Sequence, residues 1–404
     1  MNTPPILWSI AGTDSGGGAG LAADQRAADA FGVHCCTVVA GITAQSTTEV
    51  THIEATPPAV LQAQLATLAA DMPPRVIKTG LLGSADNVRV LARFVDQLRE
   101  ERPLALVVDP VLRASTGAAL ADAQLRAAYR DLLLPRATVI TPNQAEALAL
   151  LGEQAPQDIP AQARALRALG CGAVVITGGD AGATGPLGGL SLDWLDTPQA
   201  TGWLSLPRER TPHNHGTGCT FASALASALA LGWVVADAAV LAKMAATFAL
   251  RHARAVGRGV GPVIARPGFA NEPSLLPQLS LNEHAPDVWL TRVRGRAPGV
   301  YAIVDSAERV RACAEAGAGH HQQDQQAGLV AAGLRVQEVA DLLRGAGAHQ
   351  RLGRHQQRGA RLPLRRWREL HLHEHAGHQP ALGVGQGHAL DYIQAMKEFC
   401  LFGF

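Results

Sequence analysis

From the start of the chain to about position 268, short β-branched or apolar runs alternate with helical patterns, and this alternation restricts the fold more than any other feature. The runs are ILWSI at Ile6 to Ile10, TVVAGIT at Thr37 to Thr43, RVIKTG from Arg75, LALVVDP from Leu104, ATVITP from Ala137 and AVVITGG from Ala173. Each precedes a helical pattern, such as NVRVLARFVDQLREE from Asn87 or AQARALRALG from Ala161. Strands separated by helices pair in parallel through right-handed crossovers, so a three-layer α/β sandwich around a mostly parallel sheet is expected. Two later runs, GLSLDWL from Gly189 and GWLSLP from Gly202, are separated by turn residues and predict an antiparallel edge.

The alternation stops at Phe269, where Pro, Asn and Ser accumulate to about Pro298. Residues 1–268 therefore read as one domain, 269–298 as a linker and 299–404 as a separate region. That region opens with one strand-helix pattern, GVYAIVDSAERVRACAEAGAG from Gly299, and then loses its periodicity. From His320 onward it holds nine of the fifteen histidines, and no core can be read from it. His371, His373 and His375 alternate, but without a strand around them composition accounts for the spacing. A net charge of +1 supplies no field for nucleic acid. Six cysteines without a CxxC pair suit a reducing, cytoplasmic setting. The longest uncharged apolar run, Thr220 to Ala236, falls short of the roughly 20 residues that span a bilayer. Only three lysines occur, Lys78, Lys243 and Lys397, a bias assigned to base composition.

In an open parallel sheet, ligands bind beyond the carboxyl ends of the strands. After the first strand comes AGTDSGGGAGLAAD, Ala11 to Asp24, a glycine-rich turn entering a helix. It is either a tight connection or a place where backbone approaches a small planar ligand, with Asp24 as a polar contact. After the fourth run stands Asp109, and after the fifth TPNQAEA supplies Asn143 and Glu146 on one helical face. These three fit a hydrated Mg²⁺, although Asn143 and Glu146 also fit a capping box. HGTGCTFASALA, His215 to Ala226, puts Gly216 and Gly218 at a helix start, where unpaired amides and the helix dipole form an anion site. The same field predicts a lowered pKa for Cys219 and a thiolate beside the bound anion. Close packing of small residues is the alternative reading of that stretch.

In this order, AGTDSGGGAGLAAD, GITAQST, VIKTGLL, VVDPVL, TPNQAEA, Gly178 and HGTGCTFASALA resemble the hydroxymethylpyrimidine and phosphomethylpyrimidine kinases of thiamine biosynthesis, within the ribokinase-like superfamily. The resemblance covers about residues 5–268. It implies MgATP-dependent phosphorylation of 4-amino-5-hydroxymethyl-2-methylpyrimidine and then of its monophosphate, by a protein commonly found as a homodimer. It also implies roles. Gln45 reads the aminopyrimidine edge with a donor and an acceptor. Gly12 and Ala19 contact the ring, and Leu81 and Val111 wall it. Gly216 and Gly218 form the anion hole, and Cys219 stands where sugar kinases of the superfamily carry a catalytic aspartate. Thr177, Gly178, Gly179 and Thr217 contact nucleotide. Many relatives carry Lys-Gly-Gly-His where this chain has Thr177, Gly178, Gly179 and Asp180. The VYAIVDSAERVRACAEAGAG stretch is similar to the first strand and helix of thiamine phosphate synthase, but the chain after it is too short for a full barrel. Two other readings compete: a pyridoxal-type kinase of the same fold, and a pyrimidine sensor without turnover.

Overall fold

The computed structural model describes residues 3–112, 121–178 and 189–280, and the backbone of two short strands, Val300–Ala302 and Ala332–Leu334. Among them, ten strands form one sheet. In chain order these are β1 Ile6–Gly12, β2 His34–Gln45, β3 Val50–Ala55, β4 Val76–Thr79, β5 Ala105–Val108, β6 Val139–Ile140, β7 Val174–Ile176, β8 Leu190–Asp196, β9 Thr201–Pro207 and β10 Gln278–Leu279. Across the sheet they run β10-β9-β8-β7-β6-β5-β4-β1-β2-β3. From β2 and β1 through β4, β5, β6 and β7 the pairing is parallel; β3 and β8 to β10 add antiparallel edges. The chain moves from β1 to β2 on one side and returns to β4 on the other, so the order reverses at the β1/β4 boundary. A crevice opens at the carboxyl ends of strands at such a reversal.

Alternation along each central strand sends side chains to two cores. Trp8, Ile10, Ile77, Leu106, Val108, Ile140, Val174 and Ile176 face one, together with α2 (Pro58–Asp71), α3 (Ala85–Glu101), α4 (Ala123–Ala128), α5 (Gln144–Leu151) and α6 (Ile159–Ala168). Leu7, Val76, Val107, Val139 and Val175 face the other, under α7 (Thr217–Ala230) and α8 (Val235–Arg251), with α1 (Gly20–Ala30) beside them. Burial on both faces explains why these strands read as continuous apolar runs. Each fully buried aliphatic side chain contributes about 1.5–3 kcal/mol. Alanine and serine along α7 let it lie close to the sheet and to α8, with Ala222, Ser223, Ala224, Ala226, Ser227 and Ala228 all buried. The helix starts follow capping chemistry: Ser84 accepts the Asn87 N–H at 3.2 Å, and Asp158 accepts the Ala161 N–H at 2.8 Å.

The structure differs from the sequence reading in two places. Val50–Ala55 is a strand that the apolar pattern does not announce, because an edge strand exposed along most of its length needs no apolar face. Residues 269–280 are also not a linker. Phe269 and Leu275 are buried in the α7/α8 core, and β10 pairs with β9, so this stretch belongs to the first compact unit, which extends to Leu290. In the second unit, Thr291–Phe404, Val300–Ala302 pairs antiparallel with Ala332–Leu334. The helix expected after Val300, the histidine-rich tail, Gly179 and Asp180 lie outside the described residues. Among the described residues, no helix is long and apolar enough to cross a membrane.

Candidate active site

At the carboxyl end of β1 the glycine-rich turn folds around one side chain. Asp14 accepts the Gly16 N–H at Oδ1 (2.8 Å) and the N–H groups of Gly18 (2.9 Å) and Ala19 (2.8 Å) at Oδ2. His215, from the segment before α7, brings Nε2 to 2.8 Å of the same Oδ2. Burial pushes the Asp14 carboxyl up, but the His215 and backbone hydrogen bonds outweigh it and hold the group below its ordinary value. A Cβ on Gly18 would overlap the His215 ring, so the contact requires glycine. Gly216 has φ +83°, and a Cβ there would overlap the Gly18 carbonyl. Two loops far apart in sequence are thus pressed together. The Gln45 carboxamide, at the end of β2, joins them, placed with Nε2 3.3 Å from His215 Nε2 and Oε1 3.4 Å from the Thr43 hydroxyl.

Beside this junction, Gly12 closes β1 with Leu81 packed on it; a Cβ on Gly12 would lie 3.0 Å from Leu81 Cδ2. Ala19 caps α1 and is half-buried, as is Val111 after β5. Asp24 is placed differently from the sequence expectation. Three residues after Leu21 and three before Ala27, both also buried, it is fully buried and turned under the site. There it accepts hydrogen bonds from Ser9 Oγ (2.6 Å) and Ser223 Oγ (2.7 Å), and from Lys78 Nζ (3.0 and 3.1 Å). It anchors a lysine, and its hydrogen bonds are made to Ser9, Ser223 and Lys78. Lys78, the buried charge of β4, also lies 3.6 Å from Asp109 Oδ2. Burial raises the Asp109 pKa, against the pull of Lys78 and with the help of Asp24. Asp109 Oδ2 and Thr141 Oγ1, at the ends of β5 and β6, are buried and make no hydrogen bond.

Cys219 is the third residue of α7 and half-buried, and the four described cysteines are free thiols. Its thiol is pushed up to about 12 by burial; Lys78 pulls the other way, and the Asp24 and Asp109 charges add to the rise. Burial and the two carboxylate charges thus oppose the expected thiolate here, against the pull of Lys78 and a backbone hydrogen bond from Gly20. No side chain caps α7; the Thr217 N–H donates to the Asn214 carbonyl (3.3 Å) and the Thr220 N–H to the Gly216 carbonyl (2.9 Å), which leaves the Gly218 and Cys219 amides as the open donors of the first turn. Nothing lies near the position of a Cβ on Gly218, which leaves that approach open. The Thr217 hydroxyl donates to the Asn214 carbonyl at 2.7 Å.

On the nucleotide side, Asn143 and Glu146 form the capping box. Asn143 Oδ1 accepts the Glu146 N–H (2.9 Å), and Glu146 Oε2 accepts the Asn143 N–H (3.0 Å). Among the described residues no group of three or more His, Cys, Asp or Glu side chains is placed to hold a metal ion. Thr177 follows β7 and bridges to Asn143, with its N–H donating to the Pro142 carbonyl. The Gly178 N–H donates to Asp193 Oδ1 (3.0 Å), and Asp193 Oδ2 accepts from Lys243 Nζ (2.7 Å) in a buried pair. Two of the three lysines thus hold carboxylates beneath the site. Asp14, His215, Lys78, Asp193 and Lys243 are residues to which sequence reasoning assigned no role.

A helix N-terminus of this kind is suited to an anion, and it stands at the reversal point of a mostly parallel sheet; the fold is that of the small-molecule kinases of ribokinase-like type. The chain belongs to the phosphomethylpyrimidine kinase family, whose pattern matches residues 14–264. It is 43% identical over 261 residues to the hydroxymethylpyrimidine/phosphomethylpyrimidine kinase of Synechococcus elongatus, covering 64% of this chain and 96% of that one. It is 39% identical over 257 residues to the thiamine biosynthesis bifunctional protein ThiED of Geobacter sulfurreducens, of which it matches 51%. Among solved structures, an ADP complex of Bacillus subtilis pyridoxal kinase superposes with TM-score 0.59 at 29% identity, covering 65% of this chain and 98% of that one.

Proposed function

We propose that the chain transfers the terminal phosphoryl group of MgATP to the hydroxymethyl group of 4-amino-5-hydroxymethyl-2-methylpyrimidine, and then to the resulting monophosphate. The observation that carries this reading is the junction of Gln45, His215 and the α7 N-terminus, which sets an amide suited to an aminopyrimidine against an anion site. Gln45 reads the ring, Gly12 and Leu81 form its floor, and Ala19 and Val111 flank it. The amides around Gly216 and Gly218 take the transferring group. Thr177, Gly178, Gly179 and Thr217 belong to the nucleotide side, with Lys243 and Asp193 holding Gly178 in place.

The Asp109 carboxylate fits a hydrated Mg²⁺: its Oδ2, a buried hard oxygen at the end of β5, makes no hydrogen bond and only a 3.6 Å ion pair with Lys78, and the Thr141 hydroxyl at the end of β6 is also buried without a hydrogen bond. When bound, MgATP supplies the phosphoryl group, and the metal neutralises its charge. Asp109 would hold the hydrated metal, with Glu146, which follows at the start of α5, as the second carboxylate of the motif. Cys219 enters as a neutral thiol. In a loose phosphoryl-transfer transition state the hydroxyl proton leaves late and passes to an oxygen of the transferred phosphoryl group as the bond to the departing ADP breaks, so Cys219 stands beside the acceptor as an uncharged S–H group and not as its base. In the second step the acceptor is already anionic, and an uncharged neighbour does not repel it.

The test offers the full chain MgATP with hydroxymethylpyrimidine, its monophosphate and pyridoxal in parallel, with products identified by mass. Both pyrimidine phosphates are expected. Transfer to pyridoxal alone would favour the second reading, which the likeness to a pyridoxal kinase supports. Pyrimidine binding without transfer would favour a sensor.

A further inference from the structure

The two ends of the Gln45 carboxamide are chemically opposite, and its surroundings select one orientation. Asp14 accepts three backbone N–H groups, which require an ionised carboxylate. Its Oδ2 lies 2.8 Å from His215 Nε2, a distance that needs a proton on that nitrogen, whether the ring is neutral or charged. A lowered Asp14 pKa agrees. His215 Nε2 therefore carries a proton, which Asp14 takes, and has no lone pair to offer; an NH₂ group 3.3 Å away would find no acceptor, whereas the carboxamide oxygen faces the N–H without a clash of donors. At the other end, the Thr43 hydroxyl gives its one proton to the Thr13 carbonyl at 2.8 Å and has only lone pairs left for Gln45. That end has to be a donor. The reverse orientation would set two donors face to face at one end and leave the Thr43 hydroxyl without a proton to give at the other.

We infer that Asp14, His215 and Thr43 are positioning residues that lock the Gln45 carboxamide with its oxygen toward His215 and its NH₂ toward Thr43. One N–H and one oxygen lone pair then remain for the ligand, side by side. They complement a heteroaromatic edge that carries an acceptor ring nitrogen next to an exocyclic amine. This rests on the proposed function for the identity of the ligand, but the orientation itself does not.

Two measurements test it. In the full chain labelled with ¹⁵N-histidine, two-bond ¹H–¹⁵N correlation reads the tautomer of His215, assigned by the resonance missing in His215→Gln. A protonated Nε2 is expected; a bare Nε2 with protonated Nδ1 would overturn the inference. This arm needs no turnover, so its failure is separate from failure of the kinase reading. In the second arm, Thr43→Val and His215→Phe are compared with the parent chain on hydroxymethylpyrimidine and pyridoxal. Loss of a positioned hydrogen bond predicts about a tenfold fall in kcat/KM for the pyrimidine, carried by KM, and a smaller change for pyridoxal. Equal losses on both acceptors in both variants would reduce these residues to a structural role and overturn the inference.

Discussion

Replacing Cys219 by aspartate separates the two phosphorylation steps. The residue stands at the start of α7, half-buried, in the place where the transferring group and its acceptor meet in the proposed function. An introduced carboxylate at about 4 Å from an acceptor phosphate costs about 1 kcal/mol in water-like surroundings and about 4 kcal/mol near a protein surface. At 1.36 kcal/mol per decade, the second step should fall by about fivefold to about a thousandfold relative to the first. The surroundings of Cys219 place the result toward the upper end, because the Asp24 and Asp109 charges already oppose a negative charge at this position and Lys78 is held between them. Burial raises the pKa of the introduced carboxyl as well. It is therefore neutral at low pH, and the penalty grows as pH rises through that pKa. Single-turnover kinetics with the pyrimidine and with its monophosphate, followed by mass across a pH series, measure the ratio directly. Cys219→Ser is the uncharged control and should change the ratio little. Equal losses in both steps for Cys219→Asp would refute the argument that the thiol is present because it carries no charge.

Three further outcomes are expected. Gly218→Ala should leave the unliganded protein as stable as before or slightly more so, since an added Cβ meets nothing and alanine favours a helix by up to about 1 kcal/mol, yet it should impair turnover; thermal melts and steady-state rates decide. Lys243→Met leaves Asp193 charged and buried without its partner, which should cost about 3–5 kcal/mol in urea unfolding, with part of the loss recovered in Lys243→Met/Asp193→Asn. The Asp14 pKa is lower in the folded chain than its ordinary 3.8, so its contribution is present above that value and lost as pH falls through the folded value. The stability difference between the parent chain and Asp14→Asn should accordingly shrink as the solution is acidified below pH 3.8, as read by denaturant unfolding.

The central strands are legible because burial on both faces demands apolar runs, and the glycine loop and the α7 start are legible because close backbone contacts demand glycine. The rest is hidden for physical reasons. Val50–Ala55 is an exposed edge, so nothing in its composition marks it. Asp24 was misplaced although its helical spacing with Leu21 and Ala27 points inward, toward the buried face of α1. Lys78 did carry a signal: a charge inside an apolar strand needs a buried counter-ion, and Asp24 provides it. Asp14 and His215 become meaningful only when the loop of β1 meets the segment before α7, a contact between residues 201 positions apart. The Asn143/Glu146 motif allowed either a cap or metal ligation. The structure shows the cap formed and leaves Asp109 as the open oxygen.

A crystal structure of the full chain soaked with hydroxymethylpyrimidine tests the central claim most directly. The account predicts the ring on Gly12 and Leu81, its amine and adjacent ring nitrogen hydrogen-bonded to the Gln45 carboxamide, and its hydroxymethyl oxygen directed at Cys219 and the first amides of α7. A ring bound away from Gln45, or with its hydroxymethyl group turned from the α7 N-terminus, would contradict it.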